Sequence, residues 1–404
     1  MSPWTPQVFT PCPDHPDVLL GRVAARSAAF EGTSAAGGAR VIVGSAAGHE
    51  REQVARSARG ELLERVGNVM AGRAAEAAAE TVATHGELRR RGLAALAPPG
   101  LPDSRRLWVR GRTVAGAETY VAAGAVFLQH RPPPGCDTLP STGSTGIAAH
   151  PDAASAARHA AWEVLERDLV RRSWYGLTDR APRMLDAGPA GPLGALIEDR
   201  GLTATAFALP APPGAECVVV ALHRPDGTGQ TFGARCGPPG DVAALVEKAA
   251  YEALMVRWSM HTVTARGAWE EWRGETPPTT AVQHALWAYY RQDSLSLWDV
   301  ARTQARDRAD PVDRTGQPDR ADPVGRTDRT GPAGRAGPPR SNRPADPLAV
   351  LAGHTGQDVI LVETSTKSVR SAGVRVVRVI APGALPLPSG HVPGPGRSRP
   401  HPFG

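Results

Sequence analysis

Lysine is almost missing from this chain: Lys248 and Lys367 are the only two, so nearly all of the 46 basic residues are arginines. With the abundance of Ala, Gly and Pro, that skew reads as the codon bias of a GC-rich genome. The formal charge of +6 and the pI near 9.5 do not indicate a nucleic-acid surface. The arginines are spread out and interleaved with acids, and no dense basic stripe of the kind a phosphate backbone needs is present. Cysteine is scarce too. Cys12, Cys136, Cys217 and Cys236 are far apart, without a Cys-x-x-Cys or Cys/His ligand spacing, which signals neither a zinc site nor a disulfide framework and fits reduced thiols in a cytosol. The start MSPWTPQVFTPCPDHPD has no basic segment leading into an apolar one, and no apolar run reaches about eighteen residues. A soluble, cytoplasmic protein with no membrane and no nucleic-acid partner is expected.

A chain of 404 residues can bury a sizeable core, as one large domain or one domain with an insertion. Residues 1–38 read as an irregular arm with one short apolar run near Val18–Val23. Arg40–Val43 reads as a strand feeding a helix that runs from Glu50 through Ala79. Leu107–Arg110 and Thr119–Val121 with Phe127–Leu128 have strand composition, as do Thr203–Leu209, Cys217–Leu222, Val359–Val362 and Val374–Ile380. Asp241 opens a further helix, and Thr280–Gln304 is helical, with Trp287, Tyr289, Tyr290 and Trp298 expected to pack in the core or an interface. The expected class is α+β, with mixed sheets and packed helices built from repeated strand-helix units. Within 305–346 the near-repeat DRADPVDRTGQP, DRADPVGRTDRTG has almost no apolar content and reads as a disordered insertion. The core is therefore expected over 39–304 and again from 347, ending in a proline-rich tail to Gly404.

Two helices carry the chemistry. In Ser141–Trp174 a turn rich in Ser, Thr and Gly precedes a helix with Glu163, Glu166 and Arg167, and Gly44–Gly72 repeats the order with Glu61, Glu64 and Arg65. Glutamates three apart share one helix face. A lone Glu-x-x-Glu-Arg turn is ordinarily a solvated face; two brought together would line a cavity with carboxylates that only a bound cation makes tolerable. Oxygen ligands of this type suit magnesium, which completes its shell with water and substrate phosphates.

At these residues the chain resembles the YcaO family. EQVARSARGELLERV is similar to the family's first Ser-x-x-x-Glu-x-x-Glu-Arg helix, and STGIAAH with AAWEVLERD to its second. Val246–Arg257 resembles the later Ala-x-x-Glu-Ala-x-Gln-x-Arg helix, and Gly373–Gly383 the closing strand and Pro-Gly turn. Over most of the chain these matches fall in the family's order. The resemblance implies ATP and Mg2+ as cofactors and phosphorylation of a peptide's backbone amide oxygen after nucleophilic attack. It makes Glu61, Glu64, Glu163 and Glu166 metal ligands, and places Ser57, Arg65, Ser144, Arg167, Arg257 and Arg378 at the nucleotide phosphates. The partners implied are a precursor peptide and a separate leader-peptide-binding protein, with a homodimer left open. Cyclodehydration of Cys, Ser or Thr to azolines ranks above thioamide or amidine formation, because the tail resembles that of azoline-forming members, although it ends in Gly404. Pro151, Ser155, Met255 and Ala46-Ala47-Gly48 depart from the family pattern, which keeps open a non-catalytic scaffold that binds the precursor or an active paralogue.

Overall fold

In the computed structural model, residues 4–31, 40–97, 100, 102–137, 139, 143–291, 345–387 and 400–403 are described. Strands β1 (Gln7–Phe9), β2 (Leu19–Arg26) and β3 (Val41–Gly48) form an antiparallel sheet of three in that order. The arm expected to be irregular is therefore sheet. Leu19, Gly21 and Val23 point inward while Leu20, Arg22 and Ala24 alternate outward, a two-residue period short enough to be hidden among prolines. The turn expected at Gly44–Gly48 is likewise the second half of β3. Its small residues serve the long helix α1 (Arg51–Ala78), since a Cβ on Gly44 would stand 2.2 Å from the Ala58 carbonyl oxygen.

The chain then forms β4 (Val82–Ala83), α2 (His85–Arg90), β5 (Arg106–Thr113), β6 (Glu118–Ala122) and α3 (Ala123–Val126). Phe127–Leu128, expected as strand, follows this helical turn instead, because the Asn68 carboxamide pins the backbone at both Val126 and Leu128. After β7 (Ile147–His150) comes α4 (Ala153–Trp174), capped by the Asp152 carboxylate on Ser155 N–H at 2.7 Å. Next are β8 (Arg183–Leu185), α5 (Gly191–Asp199), β9 (Thr203–Leu209), β10 (Glu216–His223) and β11 (Thr231–Gly237). Helices α6 (Val242–Met260), α7 (Val263–Trp272) and α8 (Ala281–Arg291) follow, and the chain closes with α9 (Pro347–Thr355), β12 (Ile360–Glu363), α10 (Lys367–Ser371) and β13 (Arg375–Ile380).

The second sheet runs β11-β10-β9-β8, and the third runs β4-β5-β12-β13-β7 with β6 beside β5. The largest core cluster lies between α4, the second sheet and β13, and includes Leu165, Trp174, Phe207, Val219, Phe232 and Val377. Trp287 and Tyr289 are buried, as expected of core aromatics, whereas Trp298 and the repeat at 305–344 lie outside the described residues.

The fully buried Asp168 carboxylate ties three elements together. It accepts from Arg172 Nε at 2.7 Å, His354 Nε2 of α9 at 2.6 Å and Leu385 N–H of the tail at 2.7 Å. Burial alone would raise its pKa, but these hydrogen bonds outweigh it and hold the carboxyl below its ordinary value. A depressed carboxyl adds stability above its unfolded pKa that is lost as pH falls through the folded one. Asp168→Ala is expected to cost ~3 kcal/mol or more, because it strands buried donors. Thermal melting at neutral pH checks this, and the difference from the parent protein should shrink towards pH 3.

Candidate functional site

Three edge strands meet carboxylate-bearing helices, and at each edge one or two outward N–H groups are taken up by those carboxylates. In β3, Ser45 N–H donates to Glu61 of α1. Just before β7, Gly146 N–H donates to Glu163 of α4 at 3.0 Å. In β11, Ala234 N–H donates to Glu252 of α6 at 3.2 Å, and Cys236 N–H to Glu166 of α4 at 3.0 Å. The sequence separations of 16, 17 and 18 residues for Ser45–Glu61, Gly146–Glu163 and Ala234–Glu252 describe one unit used three times: strand, connection, helix, and a glutamate reaching back to the strand. Close packing makes this reach available. Gly233 in β11 plays the part of Gly44 in β3, since a Cβ there would lie 2.1 Å from the Ala249 carbonyl oxygen of α6.

The three helices converge on one acidic cluster braced by arginines. Arg65 pairs with Glu61 one turn earlier and donates to Val43 C=O at 2.9 Å. Arg167 lies between Glu166, at 3.7 Å, and Glu252, at 3.3 Å, which raises its pKa despite burial. Arg378 of β13 is buried and donates to Gly143 C=O at 3.0 Å; burial pulls its guanidinium down to about 10, with Glu163 acting in the other direction.

These cations do not neutralise the carboxylates. Burial and then the charge of Glu163 hold Glu64 well above the usual carboxylate range. Burial raises Glu163 against Arg167, the Gly146 N–H and Arg378. Burial, opposed by Arg167 and reinforced by Glu252, pushes Glu166 up to about 7. An acid with a raised folded pKa holds its proton longer when folded, so stability falls as pH rises from the unfolded to the folded value. Between pH 4.5 and about 7, Glu166 alone should cost the metal-free protein up to about 3 kcal/mol. The expected result is a melting temperature that falls across this window and is restored by millimolar MgCl2. A flat profile without metal would contradict the strained cluster.

Among the described residues no three carboxylates, imidazoles or thiols converge at metal-bonding distance. The donor set nevertheless fits magnesium, which needs one or two carboxylates and takes water and phosphate oxygens for the remainder. Glu61, Glu163, Glu166 and Glu252 each spend only part of their acceptor capacity on an edge N–H.

Of the residues singled out from sequence, Glu61, Glu64, Glu163, Glu166, Arg65, Arg167 and Arg378 come together. Ser57 is exposed on α1, one turn before Glu61 on the same face, and Ser144 sits in the turn before β7, its carbonyl accepting from Ile147 N–H at 3.0 Å. Arg257 does not join them. It donates to Gly229 C=O at 2.5 Å and lies 5.7 Å from the Tyr289 ring centroid, because five residues beyond Glu252 it has turned to another face of α6. Glu252, inside the third motif, belongs to the cluster yet escaped selection as a site residue. So did Arg235 of β11, a strand that sequence patterning missed, and His159, one turn before Glu163 in the shared field of Arg235, His150 and Lys248. The spacing Lys248–Glu252 on one face of α6 was the available signal. Ser155 occupies the departure position of α4, and its hydroxyl accepts from Arg158 at 3.1 Å.

A family model described as YcaO cyclodehydratase, ATP- and Mg2+-binding, matches residues 45–385. Among solved structures, a YcaO protein from Methanopyrus kandleri bound with AMPPCP and Mg2+ aligns with a TM-score of 0.56 and 20% identity over 97% of this chain and 91% of that one. A heterocyclase in complex with substrate and cofactor aligns with a TM-score of 0.60 and 15% identity over 94% of this chain but 50% of its own. The E. coli microcin synthetase McbBCD complex aligns with a TM-score of 0.56 and 12% identity over 95% of this chain and 89% of that one. No curated protein matches in sequence. Identities this low carry the fold alone. No helix among the described residues is long and apolar enough to cross a membrane.

Proposed function

The chain belongs to the YcaO family, and on that footing we propose that it modifies backbone amides of a ribosomally made precursor peptide at the expense of ATP, closing Cys, Ser or Thr side chains onto the preceding carbonyl to give azolines. The observation that carries this reading is the acidic cluster of α1, α4 and α6, in which burial holds Glu64, Glu163 and Glu166 above the usual carboxylate range, a strain that a bound cation would relieve. Glu61, Glu64, Glu163, Glu166 and Glu252 would hold Mg2+, and Arg65, Arg167 and Arg378 would face the phosphates, with Ser57 and Ser144 at the rim of the same site. When bound, ATP with Mg2+ supplies the phosphoryl group that turns an amide oxygen into a leaving group. Arg167 keeps Glu166 and Glu252 at a set separation, and the edge N–H bonds fix each carboxylate against its strand, so the ligands are held before anything binds. Arg257, packed on Tyr289, is given no phosphate role.

The protein incubated with ATP, Mg2+, a leader-binding partner and a Cys- or Ser-rich precursor is expected to remove one water per modified residue, read by mass spectrometry. Exchange of oxygen for sulfur would replace the azoline assignment with thioamide formation, and addition of an amine would indicate an amidine. The contact of Ser155 with Arg158, at a position without a carboxylate, favours the non-catalytic scaffold as the second reading. Failure to bind ATP with Mg2+ decides for it.

A further inference from the structure

The outer edge of β3 is a hydrogen-bonding surface that the carboxylate cluster uses only in part. Ser45 N–H donates to Glu61 and Val43 C=O accepts from Arg65, so the odd-numbered residues of β3 turn their amides away from β2. The even-numbered ones face β2, as the bond from Ser27 N–H to Arg40 C=O at 3.2 Å shows at the strand's start. Val41 therefore directs its N–H and C=O outward, and Val43 its N–H. Among the described residues none of these three groups has a hydrogen-bond partner.

They border a groove of about 510 Å³. Arg65 and Val69 of α1 line it beneath, and Phe127, Gln129 and His130 line it opposite β3. That opposite wall is held rigidly. Arg73 donates to Gln129 C=O at 2.7 Å, Glu31 N–H donates to the Gln129 side chain at 3.0 Å, and Glu76 receives both His130 Nδ1 at 2.9 Å and Arg131 N–H at 2.6 Å. Gln129 is a non-glycine residue at φ 52°, a conformation that persists only where the surroundings over-determine it.

We infer that this groove binds an extended peptide segment as a fourth strand on β3, in register with the outward groups of Val41 and Val43. The inference rests on the reading of the chain as a peptide-modifying protein, and it places the route by which the substrate enters. Donor and acceptor groups spaced two residues apart along an edge match another extended backbone and no compact ligand. Residues 127–130 line the groove together with β3, so a strand added there lies between β3 and a second wall of this chain. Arg65 lines the groove and also pairs with Glu61, so a peptide laid along β3 toward Ser45 leaves the paired stretch beside the acidic cluster. The strand thus sets the register, and the first unpaired amide beyond it is the one presented for reaction.

The test uses the full chain and the capped octapeptide acetyl-Gly-Val-Ser-Val-Cys-Val-Thr-Gly-amide as the probe, at up to millimolar concentration. Amide exchange at Val41 and Val43 is expected to slow at least ~10-fold on addition of the probe, with Ile42, already bonded to β2, unaffected. N-methylation along the probe should abolish binding at every second residue and spare the others. Val41→Pro removes one outward N–H at the first residue of β3, where proline is tolerated, and should weaken the probe ~10-fold while Mg·ATP affinity and melting stay unchanged. Exchange that does not slow at Val41 and Val43 overturns the inference, as does an N-methyl effect without a two-residue period. Protection that appears without peptide and grows with protein concentration overturns it in favour of a second copy. Protection by the probe in a protein that binds no Mg·ATP would uphold the groove and remove only the ATP-dependent reading.

Discussion

The double variant Glu163→Gln/Glu166→Gln is expected to bind ATP in the presence of Mg2+ ~100-fold or more weakly than the parent chain and to fold as well or better. Loss of a hydrogen-bonded neighbour of a metal ligand already weakens binding roughly 10- to 100-fold, and here two carboxylates themselves are removed. Folding is spared because glutamine keeps the volume and one carbonyl oxygen, enough to accept Gly146 N–H and Cys236 N–H in place of each carboxylate. It also removes charges that crowd Glu64 and Glu252. The pH-dependent fall in melting temperature expected of the metal-free parent protein should accordingly flatten in the variant. Isothermal titration with Mg·ATP and a melting series across pH 5 to pH 8 read both effects. Unaltered affinity would remove the metal role from α4, and a much lower melting temperature would show that the carboxylates are needed for folding and not for a ligand.

Gly233→Ala should lower both stability and ligand affinity. A Cβ at this position would lie 2.1 Å from Ala249 C=O and 2.7 Å from Ala253 N, both backbone atoms of α6 that no rotamer change can move. Either β11 and α6 separate or the strand twists, and overpacking of this type costs ~3 kcal/mol. Both outcomes carry Glu252 away from Ala234 N–H and from Arg167. The variant is therefore expected to melt well below the parent chain and to lose Mg·ATP affinity even where it remains folded. Gly267→Ala, in α7 with nothing within 4 Å of the added Cβ, is the matched control: Mg·ATP affinity should hold and melting should stay level or rise slightly, as alanine favours the helix.

Much of the site was legible because helical periodicity is a local property. Glu61 with Glu64, and Glu163 with Glu166, must share a face wherever α1 and α4 form, and Asp241 was readable as a helix start because its side chain acts within its own turn. β9 was legible for the same reason, its Thr203–Leu209 run having strand composition from end to end. β11 was not: TFGARCG carries two glycines, its alternation of Phe232, Ala234 and Cys236 has only one large apolar side chain, and it becomes a strand because β10 pairs with it and α6 packs on Gly233. The same tertiary pairing made a sheet of the proline-bearing arm at β1 and β2.

The chain by itself thus determined its family, its repeated strand-helix grammar and the four glutamates on α1 and α4, since motif spacing and helix faces need no partner to be defined. Tertiary structure alone decided that Glu252 completes the cluster and Arg257 leaves it, that three edge strands each give N–H groups to carboxylates of that cluster, and that the remaining edge of β3 opens on a groove. Each of these depends on which strand ends a sheet and which helix lies against it, and residues distant in sequence settle that by burying one another.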